Sequence, residues 1–334
     1  LDQSITNAEE RIRETRAEND RLRGEVGDAQ ARNQALIGSG TNTLFADNLS
    51  DVPVLLVAAE GADETSRRNL VQVLNTAGAE FRGTLTVTGR IDLDDDQVAN
   101  LGAQLDLDDP TRDEVLAELI DQFGAALASA GTAVDAGSDI PGGTTAPPTT
   151  APGQTAPGQT APTQTTPGDT ATTLPGPVGG PVPPTTQPEV EPPDQPEIVT
   201  LMLEAGLLSF EAPAEAPTSG PLLSATGYRF VFVSGVGAAV PDTTFLLPTL
   251  RRMAAEGPVP VVLASAASGD DDRDAVVAGV RDDAELSRLV STVDNLEWFN
   301  GLVSTVLGLE EIGRGARGHY GEGRGAAAPI PTGT

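Results

Sequence analysis

One segment near the carboxyl end of the chain combines residue types that could bind a ligand. Ser291, Thr292, Asp294 and Asn295 stand where a short predicted strand, 290–294, gives way to a helix. Open α/β sheets bind ligands at the carboxyl ends of their strands, so this position is a candidate ligand or partner edge. Capping of the following helix by Asp294 or Asn295 explains the same residues, and we favour that interpretation.

A second group of candidates follows the last predicted helix. His319 and Tyr320 are assigned to the same edge as Asp294. His319 is the only histidine, so one chain can build neither a Ser–His–Asp triad nor a site with several histidine ligands. Three arginines interleaved with glycine could form a small anion-binding surface, although a flexible tail is the interpretation that we favour: Arg314, Arg317 and Arg324.

Two further motifs are similar to well-known sites but lack essential residues. Residues 235–240 resemble a dinucleotide loop, yet Val240 replaces the third glycine, at which the helix must approach closely. Residues 92–96 place aspartates at the first ligand positions of a calcium loop, but Gln97 and Ala103 replace the required Gly and Glu. We interpret the aspartates as a solvated loop. We assign no catalytic residue, no cofactor and no metal ligand, and expect no enzymatic activity.

The elements that position these residues alternate between strands and helices. Val52–Ala59 is a continuous apolar run, which is typical of a parallel strand buried on both faces. A helix that ends at Gly78 and a strand over Phe81–Thr88 complete a βαβ unit. The remaining predicted strands are 228–234, 259–264, 275–280 and 290–294. The remaining helices are 111–128, 198–208, 243–255, a short one near 285–289, and 297–312. The pattern predicts a Rossmann-like open, mostly parallel sheet with helices on both faces.

Two segments differ from this domain in composition. Residues 137–196 are rich in Pro, Thr and Gly and nearly lack large apolar side chains, which predicts a disordered insertion. We therefore expect one α/β domain built from 49–136 and 197–312. The Gly/Arg-rich end, 313–334, is expected to be a flexible tail.

The first 38 residues predict a coiled-coil stalk. Apolar residues and two asparagines recur alternately four and three positions apart, which places them on one seam of a helix. β-Branched residues at the a positions favour two parallel strands, so we predict a parallel homodimer, although a single amphipathic helix lying on its own domain is the alternative. The dimerisation residues are Ile5, Ile12, Asn19, Leu22, Val26, Asn33 and Leu36.

The overall charge narrows the possible partners. The chain has a formal net charge of −29, and all twenty of its basic residues are arginine. Such an acidic protein repels phosphate backbones, so we expect no nucleic-acid partner. The sequence starts with Leu1 inside a heptad that is already in progress, and we expect a signal or membrane anchor upstream of it.

Three segments at the carboxyl end carry a family resemblance. They are Ser291-Thr-Val-Asp-Asn-Leu296, the helix end Leu309-Glu-Glu-Ile-Gly313, and Gly318-His-Tyr-Gly-Glu-Gly-Arg-Gly-Ala326. Together they resemble the actinobacterial copper transporter family of the MctB type, whose corynebacterial SteB-type members look similar. The resemblance implies an N-terminal membrane helix, a coiled coil and an α/β domain on the extracytoplasmic side of the cytoplasmic membrane. It also implies a role in copper homeostasis or in envelope assembly beside a membrane protein of the SteA type.

The residues themselves offer few ligands for copper. Copper sites use Cys, Met or His, and the chain has no Cys, one His and two methionines, Met202 and Met253. We therefore predict a scaffold or partner-binding component of the cell envelope. The alternative is a ligand-binding or enzymatic head that uses the sheet edge near Asp294.

The stalk hypothesis is tested by a charge in the seam. Ile12→Asp places a carboxylate at an a position, where burial against the partner helix is unfavourable, and should convert a dimer into a monomer in light scattering. Ala17→Asp, on the outer face of the same helix, is the matched control and should leave the dimer intact. An unchanged mass for Ile12→Asp would exclude the seam as the dimerising element.

Overall fold

The structure, a computed structural model, describes the α/β domain. The described residues are 48–131, 195–213, 222–223, 226–235, 237–238, 243–266 and 275–331, with the single positions 15, 16, 21 and 45. All seven predicted dimerisation residues lie outside this part of the chain, as does the predicted insertion up to residue 194. The coiled coil and the insertion therefore stay predictions.

Seven strands form one sheet in the order β3-β2-β1-β4-β5-β6-β7. The β3–β2 pair is antiparallel and every other neighbouring pair is parallel. The strands are β1 Pro53–Ala59, β2 Glu80–Val87, β3 Leu208–Glu211, β4 Arg229–Ser234, β5 Val261–Ser265, β6 Ser291–Val293 and β7 His319–Tyr320.

The described helices cover both faces of this sheet. They are α1 Glu64–Thr76, α2 Asp95–Gln104, α3 Arg112–Gly131, α4 Glu197–Glu204, α5 Leu246–Ala255, α6 Ala275–Asp282 and α7 Phe299–Gly313, with short 3₁₀ turns at Gly89–Ile91 and Leu286–Arg288. Successive side chains of a strand point to opposite faces. Leu55 and Val57 of β1 accordingly enter one core, with α2 to α6, whereas Leu56 and Ala58 enter the other, with α1 and α7. The predicted fold class, an open and mostly parallel α/β sheet covered on both faces, is confirmed.

Local capping signals determine where several helices begin. The α1 helix starts after Asp63, whose carboxylate accepts hydrogen bonds from the backbone N–H groups of Thr65 and Ser66. At α3, Thr111 and Glu114 form the reciprocal bonds of a capping box.

The aspartate-rich stretch is more regular than its composition indicated. We expected a solvated loop at residues 92–96, but α2 begins within it. Asp94 accepts a bond from the N–H of Gln97 at 2.8 Å, and the side chain of Gln97 accepts one from the N–H of Asp94 at 3.0 Å. Aspartates in the first helical turn are favourable because they face the positive end of the helix dipole.

Three other expectations are corrected by the structure. The run 275–280, predicted as a strand, lies in α6, because a short apolar run has no period that separates a buried strand from a buried helix. The helix predicted over 198–208 ends at Glu204 and is followed by edge strand β3, which we did not predict. The tail 313–334, which we expected to be flexible, contributes β7, and the structure describes this segment as far as Pro331.

The topology places the candidate residues at one edge. All strands except β3 run in the same direction, so the turn after β2 and the segment after β6 both lie at the carboxyl edge of the sheet. The turn after β1 lies at the same edge. There the carboxylate of Glu60 accepts a hydrogen bond from the N–H of Gly89, in the turn after β2. The segment after β7 closes the edge beside β6.

Candidate functional site

A buried ion pair forms the centre of the candidate edge. Asp294 follows β6 directly, and its Oδ2 lies 2.6 Å from Nη1 of Arg281, the penultimate residue of α6. The two side chains are only 3% and 4% exposed to solvent. A charge buried this deeply is stable only when its remaining hydrogen-bonding positions are also filled.

Backbone N–H groups of the carboxyl-terminal segment donate hydrogen bonds to both oxygens of the Asp294 carboxylate. The N–H of Glu322 donates to Oδ1 at 2.8 Å, and the N–H of Gly323 donates to Oδ2 at 2.9 Å. We favoured helix capping by Asp294 or Asn295, and this interpretation is wrong for α7. Its N-cap is Trp298, which makes no side-chain capping bond, and Asp294 binds the glycine-rich turn instead.

The guanidinium of Arg281 connects the same segments from the other side. Its Nε donates to Oγ1 of Thr292 at 2.9 Å, in the middle of β6. Its Nη2 donates to the carbonyl of Tyr320 at 2.9 Å, and its Nη1 also donates to the carbonyl of Arg324 at 3.0 Å. One side chain of α6 therefore holds β6, β7 and the turn that follows β7. We call this set, Arg281 and Asp294 with residues 320–324, the carboxyl-edge lock.

Glycine is required where the turn passes over the ion pair. Gly321 has φ +124°, and a Cβ on it would overlap the carboxylate of Asp294. A Cβ on Gly323 would lie 2.7 Å from Oδ2 of the same residue, which is closer than real Cβ contacts allow. Gly325 has φ +78°, and a Cβ on it would lie 3.3 Å from Cδ of Arg281. The alternate glycines of residues 321–325 thus follow from close approach and positive φ.

His319 is held by hydrogen bonds at both ring nitrogens. Nε2 lies 3.0 Å from the carbonyl oxygen of Ser287, which can only accept, so Nε2 carries the proton and donates. Nδ1 lies 2.9 Å from Oγ1 of Thr292 and accepts its hydroxyl proton, while that oxygen accepts from Arg281. Burial lowers the pKa of His319, and the nearby positive charge of Arg281 lowers it further.

The other predicted edge residues also have internal roles. The hydroxyl of Tyr320 donates to the carboxylate of Glu311 in α7. Burial raises the pKa of Tyr320, and the hydrogen bond to Glu311 raises it further. Ser291 accepts a hydrogen bond from the N–H of Gly318 at 3.3 Å. Asn295 differs, because it is 1% exposed and neither atom of its amide has a hydrogen-bond partner within the described part of the chain.

The structure thus brings most of the predicted edge residues together but adds three residues that sequence reasoning missed. Arg281 was missed because the preceding residues, 275–280, were predicted as a strand. No helix end was therefore expected opposite Asp294. The backbone donors of Glu322 and Gly323 were missed because the tail was expected to be flexible. The available signal was the spacing of the glycines at 321, 323 and 325, which indicates a turn with special φ angles.

The remaining candidates do not form an anion or metal site. Arg314 forms an ion pair with Glu310, and Arg317 donates to backbone carbonyls that include Leu289 and Ala316. Among the described residues, no group of three or more His, Cys, Asp or Glu side chains is placed to hold a metal ion. The dinucleotide-like segment 235–240 is described only at 235, 237 and 238.

The profile of one protein family matches residues 1–331, almost the whole chain, and the family is described as the copper transport outer membrane protein MctB. The chain belongs to the MctB family. Among curated proteins, none matches the sequence significantly. The resemblance inferred from the three carboxyl-terminal segments is thereby confirmed, and two of these segments, the strand ending at Asp294 and the glycine turn, are the two halves of the carboxyl-edge lock. Family membership connects the chain with copper transport or homeostasis at the cell envelope.

The lock should contribute strongly to folding stability. Asp294→Asn leaves Arg281 buried without its counter-charge, which typically lowers the free energy of unfolding by about 3–5 kcal/mol. Urea denaturation of the full chain measures this change. Asp282→Asn, next to Arg281 but exposed and outside the lock, is the matched control and should stay within about 0.5 kcal/mol of the unchanged protein. Equal stability of the two variants would contradict the assigned role.

His319 should make folding stability depend on pH near neutrality. Its pKa is lower in the folded protein than in the unfolded chain, so the unfolded chain binds the extra proton more readily. The contribution of neutral His319 to the free energy of unfolding is complete above about pH 6.5 and is lost as the pH falls below that value. Because the ring is only partly buried, we expect at most about 1 kcal/mol between about pH 7.5 and about pH 5.5.

The control for this effect is His319→Gln, which removes the titrating ring. No other side chain of the chain has an ordinary pKa in this window, since there is no other histidine and no cysteine. Urea denaturation at the two pH values should therefore show a smaller loss of stability for His319→Gln. An equal loss in both proteins would assign the pH dependence to other groups.

Proposed function

We propose that the α/β domain is a non-enzymatic scaffold or partner-binding head, through which an envelope protein of the MctB family serves copper homeostasis indirectly. One observation carries this proposal: the side chains that copper would choose are already engaged inside the fold. Soft thioether and imidazole groups are the ligands for copper in proteins, and three such side chains exist in the chain.

The two methionines are parts of the hydrophobic core. Met202 in α4 is 0% exposed and Met253 in α5 is 1% exposed, and both belong to the core on the same face of the sheet. His319 offers no free lone pair, because Nδ1 accepts from Thr292 and Nε2 carries the proton donated to Ser287. A copper ion would therefore have to break the core packing, or the hydrogen bonds of His319 with Thr292 and Ser287, to gain any of these ligands.

The same geometry weighs against the alternative of a ligand-binding or enzymatic edge near Asp294. Every carboxylate hydrogen bond identified there comes from the chain itself, and the glycine turn covers the carboxylate. A substrate would have to displace residues 320–324 to reach it. An edge that is closed in this way is better suited to contact another protein than to bind a substrate.

Anchoring, dimerisation and partner choice complete the proposal. We propose a parallel homodimer that is held by the coiled coil and anchored upstream of it on the extracytoplasmic side of the cytoplasmic membrane, beside a membrane protein of the SteA type. The family description, which names the outer membrane, supports an envelope location. In the described part of the chain, no helix combines the length and apolar character that crossing a bilayer requires. The net charge of −29 favours a partner with a basic contact surface.

Calorimetric titration of the full chain with Cu(I) and with Cu(II) tests the indirect role. Because the three soft or imidazole side chains are engaged internally, we expect no stoichiometric binding tighter than about micromolar, which corresponds to roughly 8 kcal/mol. The matched variant is His319→Ala, which removes the imidazole and should leave the titration unchanged. Stoichiometric binding that is tighter than this limit and is lost in His319→Ala would overturn the scaffold proposal and make copper a direct ligand.

A further inference from the structure

A second feature of the carboxyl edge lies away from the lock, at the end of β2. A cleft of about 340 Å³ opens between α2 and α4, next to the 3₁₀ turn that follows β2. This volume is within the range of small-molecule sites, and the carboxyl end of a parallel strand is where open α/β sheets bind ligands. The lining residues are Arg90, Gln97, Asn100, Leu101, Gln104, Leu201, Glu204 and Ala205.

The cleft contains opposite charges that do not neutralise each other. The side chains of Arg90 and Glu204 are exposed to solvent and make no ion pair or hydrogen bond with each other or with other described residues, although both line the cleft. The guanidinium of Arg90 is placed by Gly206, whose φ of +70° and missing side chain leave room for it, with Nη1 2.8 Å from the position of a Cβ. Both groups are therefore available to a ligand that carries a negative and a positive charge.

Amide groups add hydrogen-bonding capacity to the same cleft. Gln97 uses its Oε1 in the α2 capping box, and its Nε2 is buried without an acceptor. The side chain of Asn100 lies one turn further along α2 and has no partner in the described structure. A buried N–H without an acceptor is unfavourable, so a carbonyl oxygen from a ligand would be stabilised here. Leu101 and Leu201 supply apolar surface for small side chains.

The electrostatics of the whole chain favour a ligand without net charge. A purely anionic ligand could pair with Arg90 but would be repelled by a protein of net charge −29. A purely cationic ligand would be attracted to Glu204, which lies in the last turn of α4 where the helix dipole also favours positive charge, but it would meet Arg90. A zwitterion satisfies both groups at once.

We propose that the cleft between α2 and α4 binds a small zwitterion of the peptide class, either a free α-amino acid or a short peptide with both termini free. Arg90 pairs with the carboxylate and Glu204 pairs with the ammonium group. In a bound peptide, Nε2 of Gln97 donates to a backbone carbonyl. The site is independent of copper and of the carboxyl-edge lock, so its test does not depend on the scaffold proposal.

Ligand-observed NMR on the full chain tests the site with defined probes. The probes are alanine, trialanine, N-acetyl-trialanine and trialanine amide. We expect saturable binding of at least one of the first two probes, and at least ten-fold weaker binding of both capped peptides when the peptide is the ligand. Binding of alanine but not of trialanine identifies a free amino acid as the ligand, and binding of trialanine identifies a peptide.

Two charge-neutral variants assign the termini. Arg90→Gln should remove the preference for a free carboxylate but retain the preference for a free amine, and Glu204→Gln should do the reverse. Arg288→Gln and Glu285→Gln change exposed residues near the other end of the sheet and are the matched controls, with unchanged binding expected. Absence of saturable binding by alanine and trialanine, or equal binding by Arg90→Gln, Glu204→Gln and the controls, would overturn the proposal.

Discussion

The ion pair between Arg281 and Asp294 is the interaction on which the carboxyl-terminal half of the sheet depends. Strands β6 and β7 have only three and two residues, so their ladders contribute few hydrogen bonds. The ion pair adds bonds to Thr292 in β6, to the carbonyl of Tyr320 in β7, and to the turn beyond it. Short strands that would be marginal by themselves are thereby fixed in one register.

A buried charge pair does not stabilise a protein unless its desolvation is compensated. In this fold the compensation comes mainly from the backbone: two N–H groups of the glycine turn donate to Asp294, and two carbonyls accept from Arg281. The glycines follow from this arrangement, because a side chain at Gly321 would occupy the position of the carboxylate. Two of the three sequence segments of the family resemblance, at 291–296 and 318–326, are therefore one structural unit.

The sequence predicted the sheet well where its signal was strong. The long apolar strands β1 and β4, and helix α3 with its apolar face, were predicted close to their observed bounds. The predictions failed where tertiary contacts decide the structure. Residues 275–280 are equally apolar as strand or helix, and β7 is a strand only because β6 and Arg281 hold it.

For the candidate site, too, one part could be predicted from the sequence and another could not. Its individual residues could be selected from their types and from their place at a strand end, and the structure does gather Thr292, Asp294 and His319. Their role could not be predicted, because it depends on Arg281 and on the backbone of residues 322–323, whose proximity no spacing in the sequence reveals. A carboxylate at a strand end is chemically the same group whether it meets a ligand or its own chain.

Hydrogen exchange at the amides of Glu322 and Gly323 tests the central claim most directly. If these N–H groups donate to a buried carboxylate that is paired with Arg281, they should exchange as slowly as the amides of the central strand β5, since both would open only when the domain unfolds. NMR detection of amide exchange in the native full chain resolves the two groups. Exchange at the rate of an exposed loop would contradict the account, because it would show that the glycine turn opens independently of the sheet.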